Sequence, residues 1–326
     1  MSAPVIVIAR PLPRPFTDAL AGLGEVRVHD PAHPEASLDG ARVWLGSAMD
    51  PVGATLIESF PDGLGLIANL GVGTDNIDLA AAARAGIAVS NTPVVTEDTA
   101  DLAMALLLAT CRRLGECERA LRGGDWGAGA GMLGRRVHGA SLGIVGFGAI
   151  GQAMARRARG FDMNICYHGP RRKPEAEAEL GVVWQATLTD LLAQADIVSL
   201  HCPLSAQTRH LINADTLAAM RPGAILVNTG RGPLVDEAAL VAALQSGHLG
   251  GAGLDVFEFE PAVTPALMSL ANVVLLPHIG SATGACRADM AQRALANVRA
   301  FLEHGQPLDP VRAPAALDEP AAGVTT

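Results

Sequence analysis

The segment that most constrains the fold is a short apolar run that leads into three spaced glycines. Residues 142–145 read Leu-Gly-Ile-Val, Gly146, Gly148 and Gly151 follow, and a helical pattern covers 152–157. A dinucleotide-binding fingerprint requires a strand, a tight turn and a helix in this order. Gly146 permits the turn, Gly148 leaves room for a pyrophosphate, and Gly151 lets the helix pack closely on the strand. Three glycines alone also fit a turn without a ligand, but the flanking strand and helix favour a nucleotide site.

The loop after the next predicted strand indicates which nicotinamide cofactor is preferred. NAD-binding domains end this strand with an acidic residue about 20 residues after the glycines. Here Gly169 takes that place, and Arg171, Arg172 and Lys173 follow. Arginines pair with a 2′-phosphate, which a carboxylate would repel. The loop therefore predicts a preference for NADP(H), with Arg171 and Arg172 as phosphate contacts, and leaves binding of NAD(H) open. The alternative is a solvated basic loop without a ligand.

Composition limits the class of protein. The chain has 326 residues, of which 49% are hydrophobic, and this is enough for two domains with a substantial core. A formal net charge of −9 disfavours nucleic acid as a partner. The five cysteines are scattered without a Cys-x-x-Cys pair, which argues against a zinc site and for a reducing compartment. The N-terminus has no signal-peptide pattern, so we expect a cytoplasmic protein.

One helical run is apolar on all sides. Residues 102–111 carry no charge, yet the run is too short to span a membrane. A helix of this kind must be buried. A subunit interface near Ala103–Ala109 is one interpretation, and a core helix between domains is the other.

Apolar strands alternate with helical patterns along the chain, which predicts parallel sheets with helices on both faces. The first series contains four predicted strands, at 5–9, 43–45, 66–68 and 88–90. The second contains six, at 142–145, 164–167, 197–200, 224–228, 253–256 and 273–276. Six strands with intervening helices match a complete dinucleotide-binding domain.

The order of these series predicts a domain inserted into another. Residues 98–283 form the predicted dinucleotide-binding domain, while 1–97 and 284–326 form a substrate domain to which the final helix, from about Gly284 to Leu302, returns. From about Ala313 the sequence is small, polar and proline-containing, and we expect it to be disordered.

Three polar segments follow strands of the second series. They are residues 228–232, which contain Arg231, residues 253–261, which contain Glu260, and residues 276–282, which contain His278. In open α/β sheets ligands bind at the carboxyl ends of the strands. Each side chain singly fits a structural role, but their common placement predicts a site.

These segments, the glycine fingerprint and residues 70–78 (Leu-Gly-Val-Gly-Thr-Asp-Asn-Ile-Asp) resemble the D-isomer-specific 2-hydroxyacid dehydrogenase family. The resemblance covers about residues 40–310, and residues 167–173 are most similar to its NADPH-linked glyoxylate/hydroxypyruvate reductases. It implies an α/β fold of two doubly wound parallel-sheet domains, with a Rossmann dinucleotide-binding domain inserted in a flavodoxin-like substrate domain.

The resemblance also implies catalytic roles. Arg231 matches the arginine that holds the 2-oxo acid, a task that suits its planar fork. His278 matches the general acid that protonates the carbonyl oxygen, and histidine titrates near neutrality. Glu260 matches the carboxylate that hydrogen-bonds this histidine and favours its protonated form.

Binding roles follow from the same resemblance. The N–H groups of Val72 and Gly73 match those that cradle the substrate carboxylate, and Ser47 and Ala48 lie in the segment that faces the substrate side chain. Asp255 matches the residue that receives the nicotinamide amide. The other implied cofactor contacts are Thr99, Gly146, Phe147, Gly148, Ala149, Ile150, Gly151, Cys202, Pro203, Thr208, Thr229, Gly230 and Gly280.

The expected protein is a homodimeric, NADPH-preferring reductase of glyoxylate and hydroxypyruvate, with glycolate and D-glycerate as products and the apolar helix near Ala103–Ala109 at its subunit interface. Two alternatives stay open. One is a reductase of bulkier 2-oxo acids such as phenylpyruvate or 2-ketogluconate, although an aromatic content of 3% does not favour an aryl pocket. The other is a nucleotide-sensing, corepressor-like protein. Trp126 either reaches a partner subunit's active site, as in similar reductases, or packs on its own loop.

Overall fold

The computed structural model describes residues 3–311, so the predicted disordered segment lies outside the described residues. Within them the chain forms two compact units. The first contains residues 3–95 and 283–311, and the second contains residues 96–282. No helix in the described part of the chain is long and apolar enough to cross a membrane.

The strands of the described residues are numbered in chain order. They are β1 (Val5–Ile8), β2 (Glu25–Val28), β3 (Ala41–Ser47), β4 (Leu66–Leu70), β5 (Ala88–Ser90), β6 (Ser141–Val145), β7 (Asn164–His168), β8 (Val183–Trp184), β9 (Ile197–Leu200), β10 (Ala224–Asn228), β11 (Leu249–Leu254), β12 (Val273–Leu275) and β13 (Pro310–Val311).

The α-helices are numbered in the same way. They are α1 (Arg14–Ala21), α2 (Pro34–Leu38), α3 (Ala54–Glu58), α4 (Leu79–Arg84), α5 (Thr96–Cys111), α6 (Leu114–Arg122), α7 (Ala149–Arg159), α8 (Pro174–Leu180), α9 (Leu188–Gln194), α10 (Ala214–Ala219), α11 (Glu237–Gln245), α12 (Pro265–Ser269) and α13 (Gly284–His304). Two short 3₁₀ helices cover Gly127–Ala130 and Gly232–Leu234.

The first unit contains a six-stranded sheet in the order β13-β5-β4-β3-β1-β2. Its first five strands are parallel and follow the flavodoxin-like order 2-1-3-4-5, while β13 pairs antiparallel with β5. Helix α13 returns from the end of the chain to this sheet, and the ring of Phe301 lies so close to Gly65 that a Cβ atom there would be 2.6 Å from it. The sequence patterns missed β2 and β13, because β2 is a half-exposed edge strand with two charged residues and β13 has only two residues.

The second unit contains a parallel seven-stranded sheet in the order β12-β11-β10-β9-β6-β7-β8. Counted from β6, this is the Rossmann order 3-2-1-4-5-6 with a seventh strand at one edge. The sequence patterns did not predict the short edge strand β8. Both units are doubly wound α/β domains, so the predicted fold class is confirmed.

Strand β11 begins at Leu249, whereas the pattern placed this strand at 253–256. Its glycines have low strand propensity, which obscured it in the sequence. In the structure they let α5 approach the sheet. A Cβ atom on Gly253 would lie 2.8 Å from the Thr110 hydroxyl oxygen and 3.2 Å from the Leu106 Cβ atom.

The apolar helix α5 packs against α7, β10 and β11 of its own unit. Ala103, Leu106 and Leu107 are buried there, and Ala105 on the other face is exposed. Packing within the unit therefore buries this helix. Neither a subunit interface nor a contact between domains is needed to explain its composition.

Candidate functional site

The turn between β6 and α7 has the geometry of a phosphate cradle. Gly146 has a φ angle of 91°, and a Cβ atom on it would lie 2.4 Å from the Cys202 amide nitrogen. A Cβ atom on Gly151 would lie 2.2 Å from the Gly146 carbonyl oxygen. Both positions therefore exclude any side chain. Gly148 differs, since a Cβ atom there would meet no described atom within 4 Å, and this residue leaves open space at the N-terminus of α7.

The rest of the turn presents main-chain groups. Ala149 and Ile150 form the first turn of α7, and no described side chain caps the N–H groups of this helix. Phe147 is buried and its ring stacks on Tyr167 at a centroid distance of 4.1 Å. The unpaired N–H groups and the open space at Gly148 fit the diphosphate of a dinucleotide.

Other expected cofactor contacts surround the carboxyl ends of the strands in this unit. The Thr229 hydroxyl is buried and has no hydrogen-bond partner among the described residues, which fits a polar ligand. Thr99 is also buried, and its hydroxyl lies 3.7 Å from where a Cβ atom on Gly280 would be. The Gly230 N–H donates to the side-chain oxygen of Asn228 at 3.0 Å.

The segment after β9 forms a closed turn. The Thr208 hydroxyl donates to the Pro203 carbonyl at 2.7 Å and accepts from the Ser205 N–H at 2.8 Å. The main chain of Cys202 contacts Gly146, so this turn borders the phosphate cradle. Cys202 is half-buried, and burial raises the pKa of its thiol to about 11, so it stays a neutral thiol.

The two arginines of the basic loop after β7 have different surroundings. Arg172 donates from Nε and Nη2 to the same carboxylate oxygen of Glu177, at 3.0 and 2.8 Å. These hydrogen bonds raise the pKa of Arg172 and lower that of Glu177. Arg171 is exposed, and its side chain has no partner in the described part of the chain. Sequence patterns did not identify Glu177, which lies five residues after Arg172 in the first turn of α8.

The three polar segments after β10, β11 and β12 are joined by main-chain hydrogen bonds. The Asp255 N–H donates to the Asn228 carbonyl at 3.0 Å, and the His278 N–H donates to the Asp255 carbonyl at 2.9 Å. A Cβ atom on Gly232 would lie 1.8 Å from the Phe257 carbonyl carbon, so the segment of Arg231 packs directly on that of Glu260. The structure thus brings the three expected catalytic residues into neighbouring segments.

His278 and Glu260 form a hydrogen-bonded pair, with 2.8 Å between Nδ1 and Oε2. Burial raises the pKa of Glu260, but the hydrogen bonds from His278 and from the Phe257 N–H outweigh it, with a smaller contribution from the charge of Arg231, and hold the pKa below its ordinary value. Because an ionised carboxylate only accepts, Nδ1 carries a proton and Nε2 is left at the exposed tip of the ring. The side chain of His278 is 41% exposed.

Asp255 orients the segment of this histidine. Its buried carboxylate accepts from the Ile279 N–H at 2.7 Å and from the Gly280 N–H at 2.8 Å, and burial raises its pKa above the ordinary value. His278 itself has a φ angle of 53°, a left-handed conformation that is uncommon for residues other than glycine. Such conformations cluster at functional sites, where the surrounding structure holds them.

Arg231 follows β10 and is half-buried. Its Nη1 donates to the Gly230 carbonyl at 2.9 Å, which draws the guanidinium back towards the strand end. In this position it contributes positive charge at Glu260.

The second unit contains another histidine–glutamate pair, which the sequence patterns did not predict. His210 Nε2 is 2.6 Å from Oε1 of Glu258, whose side chain is 7% exposed. The Glu258 N–H donates to the buried Glu237 carboxylate at 2.7 Å. His210 and Glu258 are 48 positions apart, so no local pattern could have paired them.

The expected substrate residues lie in the first unit at the carboxyl ends of β3 and β4. The Ser47 hydroxyl donates to Asp50 at 2.8 Å, and Ala48 follows it in the same turn. The Val72 and Gly73 carbonyls accept from Asn91 and Asn69, each at 2.8 Å.

The N–H groups of Val72 and Gly73 have no acceptor among residues 3–311. They are therefore able to bind an anion. No cluster of potential metal ligands occurs in the described part of the chain.

Comparison with known proteins agrees with this geometry. Residues 104–280 match the family model described as D-isomer specific 2-hydroxyacid dehydrogenase, NAD binding domain. A glyoxylate reductase of Thermococcus litoralis is 49% identical over 259 residues, which cover 77% of this chain and 78% of that protein. Glyoxylate/hydroxypyruvate reductase A of Arabidopsis thaliana is 42% identical over 85% of this chain and 87% of its own length.

A solved structure is similar over almost the whole chain. The NADPH-dependent glyoxylate/hydroxypyruvate reductase of Sinorhizobium meliloti, in complex with NADP and malonate, has a TM-score of 0.88 and 39% identity, and covers 95% of this chain and 97% of that one. The family resemblance seen in the sequence is thereby confirmed, and the unit with the glycine turn is a nicotinamide-binding domain. This chain belongs to the D-isomer specific 2-hydroxyacid dehydrogenase family of oxidoreductases.

Proposed function

We propose that this chain is an NADPH-preferring reductase that converts glyoxylate to glycolate and hydroxypyruvate to D-glycerate. The observation that carries the proposal is the His278–Glu260 pair, with Nε2 at the exposed tip of the ring, in the unit that also contains the phosphate cradle. Relatives named glyoxylate reductase support the substrate class. Residues 98–283 take the dinucleotide-binding role, and residues 1–97 and 284–326 take the substrate-binding role.

Each proposed catalytic residue has a separate role in the reduction of the carbonyl group. The bound cofactor supplies a hydride to the carbonyl carbon. His278 donates the proton from Nε2 to the carbonyl oxygen, so that a hydroxyl group results. The ionised Glu260 stabilises the imidazolium form before transfer and fixes the ring through Nδ1. Arg231 pairs with the substrate carboxylate and polarises the keto oxygen.

The binding residues of the proposal have supporting geometry in each unit. In the first unit, the Val72 and Gly73 N–H groups hold the substrate carboxylate, and Ser47 and Ala48 line the side-chain end. In the second, the buried Thr229 hydroxyl, whose partner is missing among the described atoms, takes a polar group of the cofactor. Asp255 has lone pairs beyond those used by Ile279 and Gly280 with which to accept from the nicotinamide amide.

The preference for NADPH rests on the loop after β7. Gly169 stands where an acid would bind the ribose of NAD, and the exposed Arg171 offers its full guanidinium to a 2′-phosphate. The NADP complex of the Sinorhizobium meliloti enzyme supports this choice. We expect a smaller contribution from Arg172, because its Nε and Nη2 already donate to Glu177.

We also propose that the protein is a cytoplasmic homodimer. We place its contact surface on α6 and the segment that follows α6, rather than on α5. None of the residues of α6 is buried, and Leu114, Leu121, Trp126 and Leu133 are exposed, the last two by more than 80%. Apolar side chains exposed together in this way are typical of protein interfaces. Trp126 at this surface is available to reach a partner's active site. The molar mass of the protein in solution tests whether the chain forms a dimer.

The experiment that tests the function compares rates of NADPH and NADH oxidation with glyoxylate, hydroxypyruvate, phenylpyruvate and 2-ketogluconate. We expect the fastest turnover with NADPH and the two small acids. Faster turnover with NADH would overturn the cofactor assignment, and faster turnover with a bulky acid would overturn the substrate assignment. Absence of turnover with all four would favour a nucleotide-sensing protein.

A further inference from the structure

The loop that is expected to receive the 2′-phosphate contains a charged pair that the sequence did not reveal. Gly169 begins this loop beside the phosphate cradle, since a Cβ atom on it would lie 3.9 Å from the Phe147 amide nitrogen. Arg172 is 60% exposed, whereas the Glu177 side chain to which it is bound is 12% exposed. A ligand that binds at this loop therefore contacts an arginine that is already paired with a protein carboxylate.

The carboxylate of Glu177 is held by two side chains. Besides Arg172, the hydroxyl of the buried Tyr167 donates to it at 2.7 Å, and that same hydroxyl accepts from the Lys173 N–H at 2.7 Å. The hydrogen bonds from Arg172 and Tyr167 lower the pKa of Glu177, so it is ionised at neutral pH. The guanidinium of Arg172 in turn lies over the Trp184 ring, 6.0 Å from its centroid.

This arrangement has a consequence for cofactor choice. A phosphate forms its strongest contact with arginine through two parallel N–H groups, and here Nε and Nη2 already donate to Glu177. A 2′-phosphate near Arg172 must share the guanidinium with a fixed carboxylate and is repelled by it. A ribose 2′-hydroxyl carries no charge and meets neither cost.

We infer that Glu177 is a specificity-determining residue that limits the preference for NADPH by competing with the 2′-phosphate for Arg172. The inference rests on the proposed function, in which this loop binds the adenosine end of the cofactor. It differs from a purely structural role, since it requires that removing the charge of Glu177 improves binding of one ligand and leaves its unphosphorylated analogue unaffected.

The test is calorimetric binding of 2′,5′-ADP and of 5′-AMP to the whole protein, because these probes differ only in the 2′-phosphate. We expect Glu177→Gln to bind 2′,5′-ADP about 5–10-fold more tightly with no change for 5′-AMP. Glu175→Gln is the matched control, because Glu175 lies in the exposed first turn of the same helix and its loss changes the net charge equally. An Arg172→Ala background should abolish the gain.

Several outcomes would overturn the inference. Unchanged or weaker binding of 2′,5′-ADP to Glu177→Gln would show that the carboxylate does not compete and serves only to orient Arg172. An equal gain in Glu175→Gln would assign the effect to overall charge. Unchanged binding of 5′-AMP shows that the variant is folded. The proposed NADPH preference fails separately, if the wild-type protein turns over NADH faster while the Glu177→Gln gain persists.

Discussion

Two histidine–glutamate pairs occur in the second unit, and their glutamates are only two residues apart in sequence. In both, the ring and the carboxylate are within 2.8 Å of each other. In both, the histidine has a left-handed main chain, with φ angles of 50° at His210 and 53° at His278. The residue types and local conformations are thus nearly the same.

The pairs differ in what surrounds the carboxylate and in which ring nitrogen is used. Glu258 is 7% exposed and is tied by its main chain to Glu237, whereas Glu260 is 34% exposed. His210 turns Nε2, the tip of its ring, towards the protein, while His278 uses Nδ1 and leaves its tip exposed. The same two residue types thus leave different ring nitrogens outside the pair, because the tertiary structure sets which nitrogen faces the carboxylate.

The largest expected effect separates the two histidines. His278→Asn removes the proposed proton donor, and we expect kcat for reduction to fall about 10²–10⁴-fold. Asparagine tolerates the left-handed conformation better than most residues, which keeps the main chain in place. His210→Asn is the matched control, with an expected loss in kcat below about tenfold. An equal loss of kcat in both variants, at unchanged melting temperature, would contradict the difference in their roles.

A second experiment separates the two glutamates by the pH dependence of reduction. In the proposed mechanism His278 donates a proton to the carbonyl oxygen, and its Nδ1 is hydrogen-bonded to the ionised Glu260. Glu260→Gln removes the negative charge beside the ring, so we expect the falling limb of the kcat profile for reduction to move to lower pH. Glu258→Gln should leave this limb where it is. A profile that is unchanged in Glu260→Gln would exclude the assigned role.

The smallest expected effect concerns stability. Here the larger change is expected for the pair of His210 and Glu258. In Glu258→Gln an amide replaces a carboxylate that is buried among hydrogen-bond donors, so we expect the free energy of unfolding to fall by about 1–3 kcal/mol. Because the Glu260 side chain is more exposed, Glu260→Gln should lower the free energy of unfolding by less than about 1 kcal/mol. Urea unfolding monitored by circular dichroism measures both. A larger loss in Glu260→Gln would reverse the distinction between the pairs.

The parts of the molecule that could be predicted are those specified by short segments. The strand, the glycines and the helix of residues 142–157 lie within one stretch, and the steric demands on Gly146 and Gly151 act on atoms close in sequence or in the adjoining strand. Arg231, Glu260 and His278 could be grouped because each follows a parallel strand, and parallel strands end at the same edge of a sheet. Their roles in catalysis stay predictions.

Predictions failed where a feature depends on residues far apart or on an edge of a sheet. Strands β8 and β13 have two residues each and form only because a neighbouring strand pairs with them. The packing of α5 against β10 and β11 could not be predicted from local patterns, because these strands follow more than 100 residues later.

The sequence by itself determined the family, the two α/β units and the chemistry available at the strand ends, because these follow from local patterns and from the rule that parallel strands align their carboxyl ends. Only the tertiary structure decided which charged groups are free to act. It placed Glu177 on Arg172 and left Arg171 exposed, and it buried Glu258 while leaving Glu260 beside an accessible imidazole. The physical reason is that burial and pairing depend on what packs against a side chain, and neither is written in the residue or its immediate neighbours.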